Sequence, residues 1–392
     1  MSVAEQESPA TDAKRPEPRR RLVGVDATRG LALLGMMVVH VLPSTNADGT
    51  VSAAYQLTGG RAAATFAVLA GVGLALASGG NRPDPNGFAA SVAVRALAIG
   101  AIGLSLGYVD SGLAVILPYY AMFFLLSIPL LRLRARTLAL VAVGLALVVP
   151  VVSHLLRAGL PSPDRGNPTF DRLIGDPFGL LSELLLTGYY PALAWLTYLA
   201  AGLAVGRLDL RNTKVAAGLL AAGAVLVGLG ASASWLLMNV FGGREVLVAT
   251  TRLGETSTEI ERALSTSMYG TTPPTTWWWL AVDAPHSTTP FDLLQTTGFA
   301  IALLGAVLLV ARFLRPLLIP LAAAGAITLT LYSAHVLLVS SPVLPNDALT
   351  SYVVQAIGAL TFATLWYLTK RRGPLEAVVA LLANAVRRAA RR

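Results

Sequence analysis

The most informative feature of the sequence is its division into long apolar blocks separated by short polar segments. Most blocks are about 20 residues long, the length that an α-helix needs to cross the hydrocarbon core of a bilayer. Continuous apolar runs of this length predict transmembrane helices rather than amphipathic helices or alternating strands. We therefore predict an all-α polytopic membrane protein with about ten transmembrane helices, at residues 22–43, 60–79, 91–108, 112–131, 137–156, 178–205, 214–240, 291–311, 316–341 and 347–369.

The sixth predicted span is longer than a single straight crossing requires. Pro191 lies inside it and lacks the N–H that would continue a helical hydrogen-bond ladder. We therefore expect a break in this span near Pro191.

The positions of arginine and lysine predict the topology. If both termini are cytoplasmic, every cytoplasmic connection is basic, and the short outer loops at 109–111 and 342–346 carry no Lys or Arg. Excess positive charge on the cytoplasmic side is the ordinary rule for short loops. The cytoplasmic connections carry Arg82; Arg132, Arg134 and Arg136; Arg207, Arg211 and Lys214; Arg312 and Arg315; and Lys370, Arg371 and Arg372.

Three segments follow from this topology. Residues 1–21 are polar and basic and predict a disordered cytoplasmic N-terminus, followed by a first apolar run that is kept as a helix. Residues 22–370 form the transmembrane domain, with long outer loops near 157–177 and 241–290. Residues 371–392 are basic and amphipathic, and predict an interfacial helix on the anionic cytoplasmic leaflet.

Composition narrows the class of protein further. Of 392 residues, 55% are hydrophobic and only 13% are charged, whereas soluble domains carry about 25% charged residues. The net charge of +9 does not indicate nucleic-acid binding, because the arginines lie between the apolar blocks and at the two ends. The absence of cysteine excludes disulfides and thiolate chemistry. The sequence has neither a phosphate-binding P-loop nor an H-E-x-x-H motif, so we expect no ATP-driven pump and no metal site.

The first span contains ionisable residues that are costly to place in a membrane. Asp26 and Arg29 are three residues apart near one end, and His40 lies eleven residues beyond Arg29. At about 3.6 residues per turn these three side chains share one helix face, with about 16 Å between Arg29 and His40 along the axis. Asp26 and Arg29 can form an ion pair that lowers the cost of burying either charge. Such residues usually face a protein interior or a wet cavity, which indicates a functional site.

The remaining candidate residues fall mainly on the predicted outer side, where all four histidines lie. His286 follows Asp283 in a long outer loop, and His335 follows Tyr332 by about one turn. Arg61 begins the second span, Arg95 lies in the third, and a run of three tryptophans ends at Trp279. For each a structural interpretation competes with the functional one. An arginine at a helix end can reach the headgroups, tryptophans form interfacial belts, and a histidine inside a bundle often joins two helices by a hydrogen bond.

The opening stretch "VDATRGLALLGMMVVH" resembles the transmembrane acyltransferase superfamily, through its D-x-x-R-G start and its Arg-x10-His spacing. The second-span stretch "GGRAAATFAVLAGVGLAL" and the later "APHSTTPFDLL" resemble bacterial members of its YeiB and heparan-α-glucosaminide N-acetyltransferase-like branch. The resemblance extends over most of residues 20–370. It implies a membrane enzyme that takes an acyl group from cytoplasmic acyl-CoA and delivers it to a hydroxyl or amine outside.

The resemblance also implies roles for individual residues. Arg29 and His40 match the essential pair of the motif, with His40 as general base or as an acyl-accepting nucleophile, and Asp26 would orient Arg29. Arg29, Arg95 and Arg61 would bind parts of the acyl-CoA or a diacid acyl group, since guanidinium suits phosphate and carboxylate. From its residue type and its loop, independently of the resemblance, His286 would line the acceptor site or be a second acid or base. His335, Tyr332, Asp283 and Trp279 would line the acceptor site.

The hypothesis is an O-acyltransferase of the bacterial inner membrane, with acetyl-CoA or succinyl-CoA as donor and no metal. Its acceptor would be a cell-envelope glycan or glycolipid, and its oligomeric state, a homodimer included, is left open. The alternative is a proton-coupled secondary transporter, because buried Asp, Arg and His also form relays in transporters. No half-to-half repeat supports that alternative in the sequence.

Overall fold

The structure, a computed structural model, describes residues 21–79, 88–160, 164–250 and 257–389. Within these ranges the chain is all-α, and the only β pairing is an isolated bridge between Thr45 and Val51. The α-helices are α1 (Val23–Val41), α2 (Ala53–Thr58), α3 (Arg61–Ala77), α4 (Phe88–Leu106), α5 (Leu117–Ser127), α6 (Ala135–Arg157), α7 (Phe170–Gly175), α8 (Pro177–Ser182), α9 (Ala192–Gly206), α10 (Thr213–Trp235), α11 (Gly243–Ala249), α12 (Ser257–Thr266), α13 (Pro290–Val310), α14 (Ile319–Ala326), α15 (Thr328–Val339), α16 (Ala348–Leu368) and α17 (Pro374–Ala389).

The long apolar helices confirm a polytopic membrane protein. In the described part of the chain, seven helices are long and apolar enough to cross a membrane, and two bent helix pairs raise the number to nine if each is one span. These nine coincide with nine of the ten predicted spans. The predicted fourth span corresponds to α5 and the 3₁₀ turn after it, a shorter apolar helix at Leu117–Arg132. The count of ten and the cytoplasmic termini stay predictions.

Two of the spans are broken. The α8–α9 pair bends by 52° across residues 188–191, where a π-helical turn (Glu183–Thr187) ends, so the predicted break near Pro191 is confirmed. The α14–α15 pair bends by 82° at Ile327, a break that the sequence did not predict.

The break at Ile327 depends on a residue far away in the chain. The first N–H groups of α15 have no partner inside the helix, and in a membrane they need one. Glu376 supplies it: its Oε1 accepts from the N–H groups of Leu329 (2.8 Å) and Thr330 (3.2 Å). Its Oε2 accepts from the Thr330 hydroxyl at 2.6 Å. The tail after the last span therefore stabilises the helix that carries Tyr332 and His335.

Close backbone packing joins α14 to α1 and α9 to α3. A Cβ atom at Gly325 of α14 would overlap the carbonyl oxygen of Asp26, and one at Gly202 of α9 would overlap that of Val68 in α3. Small residues at helix contacts permit this approach in membrane bundles. Much of the apolar surface of α6, α10 and α16 is exposed, as expected of helices that face lipid.

The C-terminal segment forms a helix, as the amphipathic pattern predicted. In α17, Val379, Ala380 and Ala383 are buried, while Leu381 is exposed. The Arg387 guanidinium lies 5.5 Å from the ring centre of Phe88 in α4. The position of α17 on a lipid surface stays a prediction.

Candidate active site

A cavity of about 810 Å³ opens at the C-terminal end of α1. Its wall comes from α1, α2, α3, α15, the α4–α5 connection, the segment at 165–167, the α8–α9 break and the loop before α13. His40, His286 and Tyr332, all singled out from the sequence, line this cavity together. We call it the His40 cavity.

His40 is joined to His335 behind it. The Nδ1 atom of His40 lies 2.9 Å from Nε2 of His335, and the ring planes differ by only 11°. With the ring centres 5.2 Å apart, this is the geometry of an in-plane N–H···N hydrogen bond rather than of stacked rings. His335 is buried and is not among the residues that line the cavity, and its predicted role in the acceptor site stays a prediction. The second ring nitrogen of His40, Nε2, is the one left for the cavity.

The partners on the far side of His335 were not predicted from the sequence. Nδ1 of His335 lies 2.7 Å from Oε1 of Gln355, and Nε2 of Gln355 donates to the Ser351 hydroxyl at 3.3 Å. Both residues belong to α16, which otherwise buries only Ala363. A glutamine with a serine four residues before it, on one face of a predicted span, is the signal that could have indicated this contact.

His286 lies in a strained turn at the cavity wall. Its φ is +60° and that of Thr288 is +51°, in the left-handed region that a β-branched residue rarely adopts. Asp292 holds the turn, because its Oδ2 accepts from the Thr288 N–H at 2.9 Å. The imidazole lies 4.8 Å from the ring of Tyr189 and parallel to that of Trp195. Strain of this kind persists where surrounding contacts over-determine the backbone, and it is concentrated at functional sites.

Burial lowers the pKa of His286 from its usual 6.5 to about 4, so the imidazole is neutral at physiological pH. As the pH falls, His286 gains a proton near pH 6.5 in the unfolded chain but only near pH 4 in the folded protein. The contribution of the neutral His286 to stability is therefore complete above about pH 6.5 and is lost as the pH falls to about 4. We expect wild-type protein to lose about 3 kcal/mol more of its unfolding free energy over this range than His286→Gln does. Thermal unfolding in detergent at a series of pH values measures the difference. An identical pH dependence in both proteins would contradict the prediction.

Aromatic side chains form a wall that leads from the mouth of the cavity to His286. Tyr269 packs edge-on against Tyr189 with ring centres 5.0 Å apart, and Tyr190 packs edge-on against His286 at 5.7 Å. At the mouth, the exposed Arg165 guanidinium lies 5.4 Å from the Tyr269 ring centre. These aromatic residues were not predicted from the sequence. The "GYYP" stretch at the predicted break in the sixth span was the available signal.

A buried acid supports this wall. Glu183, in the π-helical turn, accepts from Arg172 Nη1 at 2.6 Å and from the Tyr119 hydroxyl at 3.1 Å. Tyr119 in turn packs edge-on against Tyr190 at 5.5 Å. π-helical turns often occur at functional sites, and here the turn brings a carboxylate beneath the aromatic wall.

Asp26 and Arg29 form the ion pair expected from their spacing. Arg29 Nη1 donates to Asp26 Oδ1 at 3.2 Å, and Nη2 donates to the carbonyl of Leu69 in α3 at 3.0 Å. Gly73 of α3 leaves room for the guanidinium, since a Cβ there would lie 2.5 Å from Nη2. Arg29 therefore joins α1 to α3 near the end of α1 opposite the His40 cavity. Its distance from His40 along the helix axis is about 16 Å.

Arg95 lies on α4 and differs from Arg29 in its surroundings. No carboxylate of the described residues forms an ion pair with it. The guanidinium groups of Arg29 and Arg372 both act on its charge, and both repel it. Of these three arginines, Arg29 alone has an acidic partner among the described residues, an arrangement that suits the binding of an anion at Arg95.

The other predicted site residues lie outside the lining of the His40 cavity. Arg61 donates to Oε1 of Gln295 at 3.3 Å, and Gln295 donates to Asp283 Oδ2 at 3.2 Å, so this network joins α3 to the loop before α13. Asp283 lines a separate cavity of about 760 Å³. Trp279 is buried in an apolar cluster and donates to the Thr275 hydroxyl at 3.1 Å. The acceptor or donor roles predicted for these three residues stay predictions.

The bundle and the His40 cavity define an integral membrane protein with a polar, histidine-lined site at one end of its helices. Residues 21–241 match the family described as heparan-alpha-glucosaminide N-acetyltransferase, catalytic. The chain belongs to this family, and it is an acetyltransferase-type membrane enzyme. The resemblance stated from the sequence is thereby confirmed. No curated protein matches the chain. The match includes Asp26, Arg29, His40 and Arg95 and ends before His286, His335 and Gln355.

Proposed function

We propose that the protein transfers a short acyl group from acyl-CoA to a hydroxyl, or an amine, of a cell-envelope glycan or glycolipid. Acetyl is the first candidate for the acyl group, since enzymes of this family use acetyl-CoA, and succinyl is the second. The observation that carries the proposal is His40: in a chain of an acetyltransferase family, its free ring nitrogen faces a cavity large enough for a substrate. The membrane would be the bacterial inner membrane, with the cavity on its outer face.

His40 acts as general base in this proposal. Its Nε2 takes the proton from the acceptor O–H while the acceptor oxygen forms a bond to the thioester carbonyl carbon. The C–S bond then breaks, and the proton passes from His40 to the departing CoA thiolate. Imidazole suits both transfers because its ordinary pKa lies near neutral pH. An acyl-His intermediate would use the same nitrogen atom.

The donor would approach from the end of α1 that carries Arg29. The roughly 16 Å between Arg29 and His40 along the axis is comparable to a pantetheine arm. The CoA phosphates would then lie near Arg95 and Arg372. Arg95 is available to them because no acid of the described residues forms an ion pair with it. Guanidinium groups bind phosphate through paired N–H donors.

The acceptor would enter from the opposite end, along the aromatic wall. Tyr269 and Tyr189 offer ring faces and edges that suit the apolar side of a sugar ring, and they line the cavity together with Asp110 and Arg165 at its rim. The Asp110 carboxylate can accept hydrogen bonds from sugar hydroxyls, and the Arg165 guanidinium can donate to them, beside the tyrosine hydroxyls. This combination favours a glycan over a purely apolar acceptor.

The first experiment measures donor binding, which requires no knowledge of the acceptor. Acetyl-, succinyl- and palmitoyl-CoA are added to purified protein, and the shift in unfolding temperature is recorded. At 100 times the dissociation constant, a bound donor should stabilise the protein by about 2.7 kcal/mol. We expect a shift with a short acyl-CoA that is strongly reduced in Arg95→Gln. It should be retained in Arg244→Gln, whose exposed guanidinium pairs with Glu261 at a distant site.

The second experiment follows transfer of labelled acetyl from acetyl-CoA to methyl α-glucosaminide, a probe chosen from the family description, and to extracted envelope glycan. Two broken spans are also common in secondary transporters, so transport is the second candidate. If a folded protein shows no thermal shift with any acyl-CoA, the acyltransferase proposal is wrong and transport becomes the better explanation.

A further inference from the structure

We infer that Gln355 is a positioning residue that acts through His335 to hold His40 in the one neutral form that can accept a proton from the cavity. The catalytic consequence rests on the proposed acyltransferase function, whereas the protonation pattern itself does not. The inference follows from a continuous chain of hydrogen bonds, Ser351–Gln355–His335–His40, of which only His40 touches the cavity.

The direction of the chain begins at the Gln355 amide. Its oxygen lies 2.7 Å from Nδ1 of His335, and its nitrogen donates to the Ser351 hydroxyl at 3.3 Å on the other side. This oxygen can only accept, so the hydrogen in the 2.7 Å contact belongs to Nδ1 of His335.

The ring of His335 transmits this direction to the ring of His40. Neutral imidazole has one N–H and one bare nitrogen, so a hydrogen on Nδ1 leaves Nε2 of His335 as an acceptor. Its 2.9 Å neighbour, Nδ1 of His40, must then be the donor. Nε2 of His40 therefore carries a lone pair, and it is the nitrogen that faces the cavity. A proton acceptor or a nucleophile at this position needs that form.

Burial makes the arrangement difficult to reverse. Gln355 and His335 are only 4% and 2% exposed, so no solvent can substitute for a lost partner. In the opposite tautomer the Gln355 oxygen would face a bare ring nitrogen, and Nε2 of His40 would carry a hydrogen. The Tyr332 hydroxyl, one turn away on α15, accepts from the Ile116 N–H at 3.2 Å. The orientation and tautomer of the His335 ring are therefore determined by its contacts with Gln355 and His40.

Gln355 differs from the carboxylate of a serine-protease triad in one respect. An amide oxygen accepts a hydrogen bond but does not take up a proton at physiological pH, so the chain orients His40 and removes no proton from it. When His40 gains a proton from the acceptor, His335 continues to accept from its Nδ1. This stabilises the imidazolium without a second charged group in the membrane.

The test is ¹⁵N NMR of histidine-labelled protein together with steady-state kinetics. The chain has four histidines, and a His40→Gln spectrum assigns the His40 signals by difference. In wild type we expect a protonated Nδ1 and a bare Nε2 on His40. In Gln355→Met, which keeps a similar side-chain volume without the acceptor, we expect the opposite form of His40, with its hydrogen on Nε2, to predominate, because a buried Nδ1–H on His335 would have no acceptor. We expect kcat for acetyl transfer to fall roughly 100-fold, with KM for acetyl-CoA unchanged, because the wrong tautomer blocks chemistry and not donor binding.

Ser351→Ala is the second variant. It removes the contact that orients the Gln355 amide and keeps the acceptor, so we expect an intermediate tautomer mixture and a smaller loss of kcat in a folded protein. The inference is overturned if Nε2 of His40 is protonated in wild type, or if both variants give the wild-type ¹⁵N pattern. A protein with the expected ¹⁵N pattern but no acyl transfer would instead contradict the proposed function.

Discussion

His40→Ala is expected to lower the rate of acyl transfer by at least about 100-fold, the contribution typical of a general base. The variant removes the free nitrogen that faces the cavity, while the donor cations near Arg95 lie at the other end of α1. The loss should therefore fall on kcat, and binding of acetyl-CoA should be retained. Turnover with labelled acetyl-CoA and the thermal shift with unlabelled acetyl-CoA measure the two effects separately.

His154→Ala is the matched control for this prediction. His154 is also a histidine of a predicted outer helix end, but it packs against the exposed Trp277 with ring centres 4.8 Å apart and does not line the His40 cavity. We expect near wild-type turnover from it. Comparable losses in both variants would mean that a general disturbance of the fold, and not the nitrogen of His40, explains the effect.

Arg29→Met is expected to lower the free energy of unfolding by about 3 kcal/mol, because it leaves the Asp26 carboxylate largely buried without its partner. The two side chains are 15% and 23% exposed, so solvent cannot replace the lost contact well. The double variant Asp26→Asn/Arg29→Met should recover most of this stability, since no charge is then left unpaired. Both the loss and the recovery are measured by unfolding the wild type, the single variant and the double variant in detergent.

The same double variant separates the two roles proposed for Arg29. If it is stable and still binds acetyl-CoA, Arg29 serves the packing of α1 on α3 and Arg95 carries donor recognition. If it is stable and no longer binds acetyl-CoA, Arg29 is itself a donor ligand. Equal instability of the single and double variants would contradict the ion-pair explanation.

The sequence alone was sufficient for features that depend on the bilayer or on one helix. A fixed hydrocarbon thickness requires apolar blocks of fixed length, which is why the spans could be located within a few residues. The geometry of a single helix was enough to pair Asp26 with Arg29 and to place His40 on the same face. Pro191 predicted a break because its effect on the backbone is local.

The tertiary structure decided what depends on residues distant in sequence. The break at Ile327 needs the Glu376 carboxylate, and the role of His335 is defined by His40, 295 residues away, and by Gln355. Helical periodicity shows which side of a helix is polar, but it does not show which neighbouring helix that side meets, because lipid and protein interior are equally apolar. The identity of the reactive nitrogen is therefore set by the packing of α1, α15 and α16, and the sequence by itself supplies only the imidazole.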